Sequence, residues 1–339
     1  MTDLVSAAAA TIDYDDWTTT DDGDLIPQIT TDTTIHDMLR LLNIQPGMTV
    51  LEIGTGSGYS GSLLSCIVGT DGHVVSIDID PSLVERARAQ HEQAGHTNIE
   101  LHAADGYNGW AASAPFDRIV GWVTPHVLPT AWVEQAKPGA VIVTPVKIAD
   151  IAGTNAIVRC VVDGGTVRDG ELYPGSFIEM APEIITELGL PIRYVDAVRR
   201  LPVGPPWWIS AHQLHQQPST VAADLLAQLV EAEPEPEFFD RQANDWRAFT
   251  TFLLASTTNP AGVGGAHGWG IGTATPNSVA VSLSNGALLT AGTDEAHEEL
   301  TSVLDEWRKA GKLGLADLSP SFTADEDGWA VRPQLDRSA

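Results

Sequence analysis

Three glycines alternate in Leu51-Glu-Ile-Gly-Thr-Gly-Ser-Gly-Tyr59, between the apolar run Thr49–Ile53 and an apolar stretch that reaches Val68. Glycines at this spacing let the backbone bend tightly and approach a ligand closely, while the N–H groups opening the next helix point at it. Acidic residues follow where a nucleoside would use them. Asp78, with Ile79 beside it, ends the next apolar run 24 residues after Gly54 and can accept from ribose hydroxyls. Asp105-Gly106 lies just past the third run and can meet an adenine edge.

Two ligand readings compete for this segment. Gly56-Ser-Gly58-Tyr-Ser-Gly61 satisfies the dinucleotide pattern G-x-G-x-x-G, with an acidic residue about 20 positions on. The alternative is a site for S-adenosylmethionine (SAM), written acidic-x-Gly-x-Gly-x-Gly, which the segment resembles more closely. Glu52 takes the acidic position. A carboxylate there opposes a pyrophosphate but tolerates a ligand carrying sulfonium and ammonium groups.

The elements needed to hold these residues are legible as an alternation. Ile35, Met38, Leu39 and Leu42 mark a helix closed by Pro46-Gly47. His73–Asp78, Ile99–His102, Asp117–Val123 and Ala140–Pro145 read as strands, and Pro81 opens a helix to about Ala94. Apolar strands separated by helices predict a parallel sheet covered on both faces, an α/β, Rossmann-like fold. Ala156–Val162 and Phe177–Met180 are expected as antiparallel edge strands. Ligands of such sheets lie at the carboxyl ends of the strands, so Val123 and Thr124 should line the cleft. Past Leu201-Pro-Val-Gly-Pro-Pro-Trp-Trp208 the pattern becomes α+β, with helices near 219–231 and 244–256 and a hairpin at Asn285-Gly286. The expected domains are an acidic flexible arm at 1–24, a ligand-binding domain at 25–200 and a C-terminal α+β domain at 201–339.

Composition narrows the partners. Of 339 residues, 18 are Lys or Arg and 45 Asp or Glu, a net charge of −27. That charge disfavours nucleic acid and acidic membrane surfaces, which require a basic face. No apolar run reaches the roughly 18 residues of a membrane helix, and Arg40 is the first basic residue, unlike a secretory signal. Cys66 and Cys160 within apolar runs fit a cytoplasmic setting rather than a disulfide framework.

Leu51–Tyr59, Asp105-Gly106, Pro115-Phe-Asp-Arg-Ile-Val120 and Leu128-Pro with Gln135-Ala-Lys-Pro-Gly-Ala-Val-Ile-Val-Thr-Pro-Val146 together resemble the protein-L-isoaspartate O-methyltransferase (PCMT) family, over about residues 25–180. The resemblance implies a seven-stranded SAM methyltransferase sheet. It places Gly54, Thr55, Gly56, Ser57, Gly58 and Tyr59 at the methionine end of SAM, Asp78 on the ribose and Asp105 on the adenine. Glu52, Ile79, Gly106 and Val123 complete the expected cofactor set, with S-adenosylhomocysteine (SAH) as product and no metal.

One departure concerns the acceptor. Family repair enzymes carry Ile-Ser-Gln-Pro before the first sheet helix, whereas this chain has Ile29-Thr30-Thr31-Asp32. Ile29, Thr30, Thr31, Thr124 and His126 are the expected substrate contacts. Thr30 and Thr31 are hydroxyl donors that would orient a carboxylate, a group already nucleophilic at neutral pH. The tail, Leu304-Asp-Glu-Trp-Arg-Lys-Ala-Gly-Lys-Leu-Gly314 and Asp327-Gly-Trp-Ala-Val331, is similar to methyltransferases of lanthipeptide and graspetide pathways. That similarity implies methylation of an aspartate side chain in a modified ribosomal precursor peptide, leading to aspartimide. Repair of isoaspartyl proteins and a silent SAM-binding scaffold are the alternatives.

Overall fold

In the computed structural model, residues 3–20, 22–26, 29–185, 187, 189–236, 238–239 and 243–335 are described. The chain forms two compact units. One comprises residues 1–146, 156–184 and 322–330, and the other 147–155, 185–321 and 331–339. Both are assembled from separate stretches of chain, unlike the expected single boundary near residue 201.

The first unit begins with two short helices, α1 (Leu4–Ala9) and α2 (Tyr14–Thr18). A flexible arm is therefore not what these residues form. Asp3 and Asp13 cap the helices by accepting from the Val5 and Asp15 amides, so carboxylates that read as solvated charge serve as N-caps. Val5, Ala8 and Trp17 are buried in the same core as α3 (Asp32–Leu42), whose buried face is Ile35, Met38, Leu39 and Leu42.

The sheet follows as β1 (Thr49–Ile53), α4 (Tyr59–Val68), β2 (His73–Asp78), α5 (Pro81–Ala94), β3 (Ile99–Ala103), β4 (Phe116–Gly121), β5 (Leu128–Pro129), α6 (Thr130–Glu134), β6 (Ala136–Lys147), β7 (Asn155–Asp163) and β8 (Thr166–Tyr173). Seven strands lie in the order β3-β2-β1-β4-β6-β7-β8, parallel from β3 to β6, with β7 and β8 antiparallel to each other. Ile53 stands opposite Ile77 on one side and Gly121 on the other, so β1, β2 and β4 end at one edge. The order reverses at β1, the crevice where such sheets bind ligands. Phe177–Met180 is not an edge strand. It makes a single parallel bridge, Thr124 to Glu179, beyond the end of β4. The edge position belongs to β8, folded back through Gly164 and Gly165 at positive φ.

The second unit is a six-stranded antiparallel sheet built from β9 (Ala197–Arg199), β10 (Trp207–Ala211), β11 (Pro260–Gly265), β12 (Gly268–Thr275), β13 (Ser278–Leu283) and β14 (Leu288–Gly292). Its helices are α7 (Ser219–Glu231), α8 (Ala243–Ser256) and α9 (Glu295–Lys309). Leu225, Leu226 and Leu229 of α7 pack with Val263, Val279 and Val281, whereas Phe249 and Leu253 of α8 and Leu300 and Leu304 of α9 pack with Ile271 and Ala280. Alternate sheet residues thus face opposite helical layers. The Asn285-Gly286 turn forms as expected, with Gly286 at φ 86° and its amide on the Leu283 carbonyl. His215 donates to Asp196 (2.9 Å) and to the Asp150 carbonyl (2.8 Å), and the Asp196 bond raises its pKa. The last described strands are β15 (Leu318–Ala324) and β16 (Gly328–Leu335); Gly328 and Trp329 pair with Pro129 and Leu128 within the first unit. Among the described residues no helix is long and apolar enough to cross a membrane.

Candidate functional site

The turn after β1 is shaped by backbone conformation. Gly54, Gly56 and Gly58 all have positive φ (94°, 51° and 85°), and the Gly54 and Thr55 amides bond to the Ile77 carbonyl. A Cβ on Gly56 would meet nothing within 4 Å, so this face of the turn is open, whereas the Gly58 position is closed by Trp17 and Ala87 at 3.1 Å. Asp78 reaches the turn from β2. One of its oxygens accepts from the Gly56 amide (2.9 Å) and the other from the Asp80 amide (3.0 Å). Burial raises its pKa. A carboxylate fixed by two amides beside an open glycine is suited to receive a diol.

Glu52 has a different place from its expected cofactor contact. It is fully buried beneath the turn and accepts from Ser60 (2.5 Å), Ser76 (2.6 Å) and the Trp122 indole (3.0 Å). Because the Ser76 hydroxyl points at Glu52, Thr55 donates to Ser76 at 2.7 Å, joining the turn to the same network. Burial pushes the Glu52 carboxyl up, against the pull of its three donors. Glu52 positions the turn rather than facing the cleft.

The remaining expected cofactor residues gather at the same edge. A Cβ on Gly106 would lie 2.5 Å from Ile53, so the Asp105-Gly106 loop closes over the end of β1. Asp105 itself caps that loop through the Tyr107 amide. Val123 is 3.7 Å from a Gly54 Cβ position, and Ile79 is partly exposed next to Asp78. Ser57 accepts from the Tyr59 amide. The Tyr59 side chain is only 1% exposed, bonds to His36 Nε2 at 2.9 Å, and is pushed by burial to about 12.

The expected substrate residues divide. Thr30 is brought to Tyr59 through Tyr14, whose ring stands edge-on to Tyr59 at 5.0 Å and whose hydroxyl donates to the Thr30 carbonyl at 2.9 Å. Ile29 precedes it, partly buried, and Thr31 is the N-cap residue of α3, its hydroxyl paired with Thr34. Thr124 and His126 are engaged internally. The Thr124 hydroxyl donates to the Phe177 carbonyl, and the His126 nitrogens meet Tyr107 (3.2 Å) and Asp327 (3.3 Å). Sequence reasoning missed Trp17, Tyr14, Ser60, Ser76 and Trp122. Each acts through partners distant along the chain, which no local pattern announces.

Behind the turn, His91 is 2% exposed against the rings of Trp17 (4.8 Å) and His96 (5.3 Å). Burial, with His96 adding to it, lowers its pKa to about 4. Below pH 6.5 the unfolded chain binds a proton that the fold refuses, so this contribution is complete above about 6.5 and lost as pH falls toward 4. The shift corresponds to roughly 3 kcal/mol. Denaturant titrations across that range should show wild type losing stability relative to His91→Leu, and parallel curves would refute the assignment.

Comparison with known proteins adds the family. The profile of the Protein-L-isoaspartate(D-aspartate) O-methyltransferase family matches residues 9–165. The protein-L-isoaspartate O-methyltransferase of Methanococcus maripaludis is 31% identical over 146 residues, 43% of this chain and 67% of that protein. That of Pyrococcus abyssi is 42% identical over 109 residues, 32% of this chain and 50% of that protein. The chain spans about half the length of most curated relatives it matches. A solved protein-L-isoaspartate O-methyltransferase superimposes with a TM-score of 0.52 at 18% identity, covering 99% of this chain and 95% of its own. At that identity the likeness is one of fold, yet it includes the C-terminal unit. A C-terminal unit beyond residue 200 is thus compatible with that fold, and the length of the chain does not by itself point to a ribosomal-peptide enzyme. The glycine turn, Asp78 on β2 and the seven-stranded order are those of a SAM methyltransferase fold, and with a relative matched over two thirds of its length, the chain belongs to the protein-L-isoaspartate(D-aspartate) O-methyltransferase family.

Proposed function

We propose that this protein is a SAM-dependent carboxyl O-methyltransferase whose acceptor is an isoaspartyl or D-aspartyl carboxylate in a peptide or protein. The observation carrying the reading is the Asp78 carboxylate, pinned on the Gly56 amide at an open glycine turn. The residues present suit the cofactor: Asp78 for the ribose, the Asp105-Gly106 loop for the base and Gly54–Gly58 for the methionine end. Bound there, SAM would supply an electrophilic methyl group on a sulfonium.

The chain's own task is then positioning. In such a transfer one C–O bond would form as one S–C bond broke, the electron pair would pass to sulfur, and two opposite charges would disappear. No proton moves, so no general base is needed. Charge is annihilated in this step, which favours a cleft with little water. In this reading Thr30 and Thr31 supply the hydroxyls that hold the acceptor carboxylate without protonating it.

A second reading, an aspartate side chain of a ribosomally made modified peptide, is favoured by Asp32, an exposed carboxylate where repair enzymes have proline. Labelled SAM offered with an isoaspartyl peptide, its aspartyl counterpart and a cyclised precursor peptide separates the two. The expected result is a base-labile methyl ester on the isoaspartyl peptide. Labelling confined to the precursor peptide would overturn the first reading in favour of the second.

A further inference from the structure

No step above uses the first short helices, yet α2 touches both halves of the site. Trp17, 7% exposed, lies against Gly58 of the glycine turn. Arg86 of α5 donates from one terminal nitrogen to the Ser57 carbonyl in that turn (3.2 Å) and from the other to the Thr19 carbonyl just past α2 (3.1 Å). Gln90, one helical turn further, donates to the Asp16 carbonyl. At the opposite end Tyr14 packs on Tyr59 and donates to the Thr30 carbonyl.

We propose that α2 sets the spacing between the glycine turn and the acceptor segment Ile29–Thr31, with Tyr14 a positioning residue that acts on the acceptor through Thr30. This rests on the carboxyl methyltransferase reading. In-line transfer is sensitive to misplacement, a shift of about 1 Å costing on the order of a hundredfold. A hydrogen bond to a main-chain carbonyl moves the whole residue, side-chain hydroxyl included. Trp17 and Arg86 anchor the same helix to the turn, so a displacement of Thr30 relative to Gly58 would require breaking one of these attachments.

Tyr14→Phe keeps the ring on Tyr59 and removes only the hydroxyl. Three readouts are compared with wild type: SAH affinity by calorimetry, KM for an isoaspartyl peptide at saturating SAM, and amide hydrogen exchange over residues 29–34 and 54–58. The expected result is an acceptor KM raised about fivefold, the size of one lost hydrogen bond, with faster exchange confined to 29–34 and SAH affinity within about twofold. A parallel loss of SAH affinity, or unchanged exchange over 29–34, would overturn the proposal. A wild-type chain that binds no SAH counts against the methyltransferase reading instead, and the exchange comparison still decides whether Tyr14 holds the acceptor segment.

Discussion

Glu52→Ala should destabilise the first unit by about 3–5 kcal/mol, enough to remove much of the stability of an ordinary domain. The carboxylate is buried and takes hydrogen bonds from a helix, a neighbouring strand and the residue after β4. Deleting it leaves the Ser60 and Ser76 hydroxyls and the Trp122 indole without their acceptor, and each buried orphan costs about 1–3 kcal/mol. Thr55 also loses the orientation it gains through Ser76. Glu52→Gln, which keeps the volume and one acceptor oxygen, should cost visibly less. Urea denaturation measures both: the midpoint should fall with an unchanged slope. A loss below about 1 kcal/mol for Glu52→Ala would mean the three donors find other partners and the network has been misread.

Asp78→Ala should act on the ligand rather than on the fold. Its carboxylate is fixed by the Gly56 and Asp80 amides and faces the glycine turn, so removal would delete the acceptor that the proposed site offers a ribose diol and loosen Gly56. Hydrogen bonds to a charged group contribute about 1.5–3 kcal/mol each, which puts the rise in SAH dissociation constant at about a hundredfold or more. Calorimetric titration checks this, with denaturation run beside it. Unchanged affinity would remove Asp78 from the site, and a collapse of stability equal to that of Glu52→Ala would make it structural.

Much of the methyltransferase unit is legible locally. Thr49–Ile53, the alternating glycines, Pro81 with Asp80 ahead of it and the Ile35–Leu42 spacing each encode their own conformation, and those elements form where expected. What pattern alone does not reveal is set at a distance. The donors to Glu52 lie 8, 24 and 70 residues away in sequence, so a motif residue that reads as a ligand contact proves to be the centre of a buried network. The N-terminal segment misleads for a related reason. Its aspartates suggest solvation, but two of them cap helices, and the few apolar residues among them, Val5, Ala8 and Trp17, find a core prepared by α3 and α4. Phe177–Met180 has the composition of a strand yet makes one bridge, with Thr124 bonded to Ile178 and Met180 on either side of Glu179. In the second unit the glycine-rich strands β11 and β12 carry too few large side chains to announce themselves, and their pairing is a matter of register across the sheet.

The central claim is that the turn Gly54–Gly58, with Asp78, holds an adenosyl sulfur cofactor and not a dinucleotide. Its most direct test is isothermal titration of the purified chain with SAH and, separately, with NADH. Saturable one-to-one binding of SAH is expected, abolished or greatly weakened in Asp78→Ala, with no heat from NADH beyond dilution. Saturable binding of NADH together with no response to SAH would contradict it.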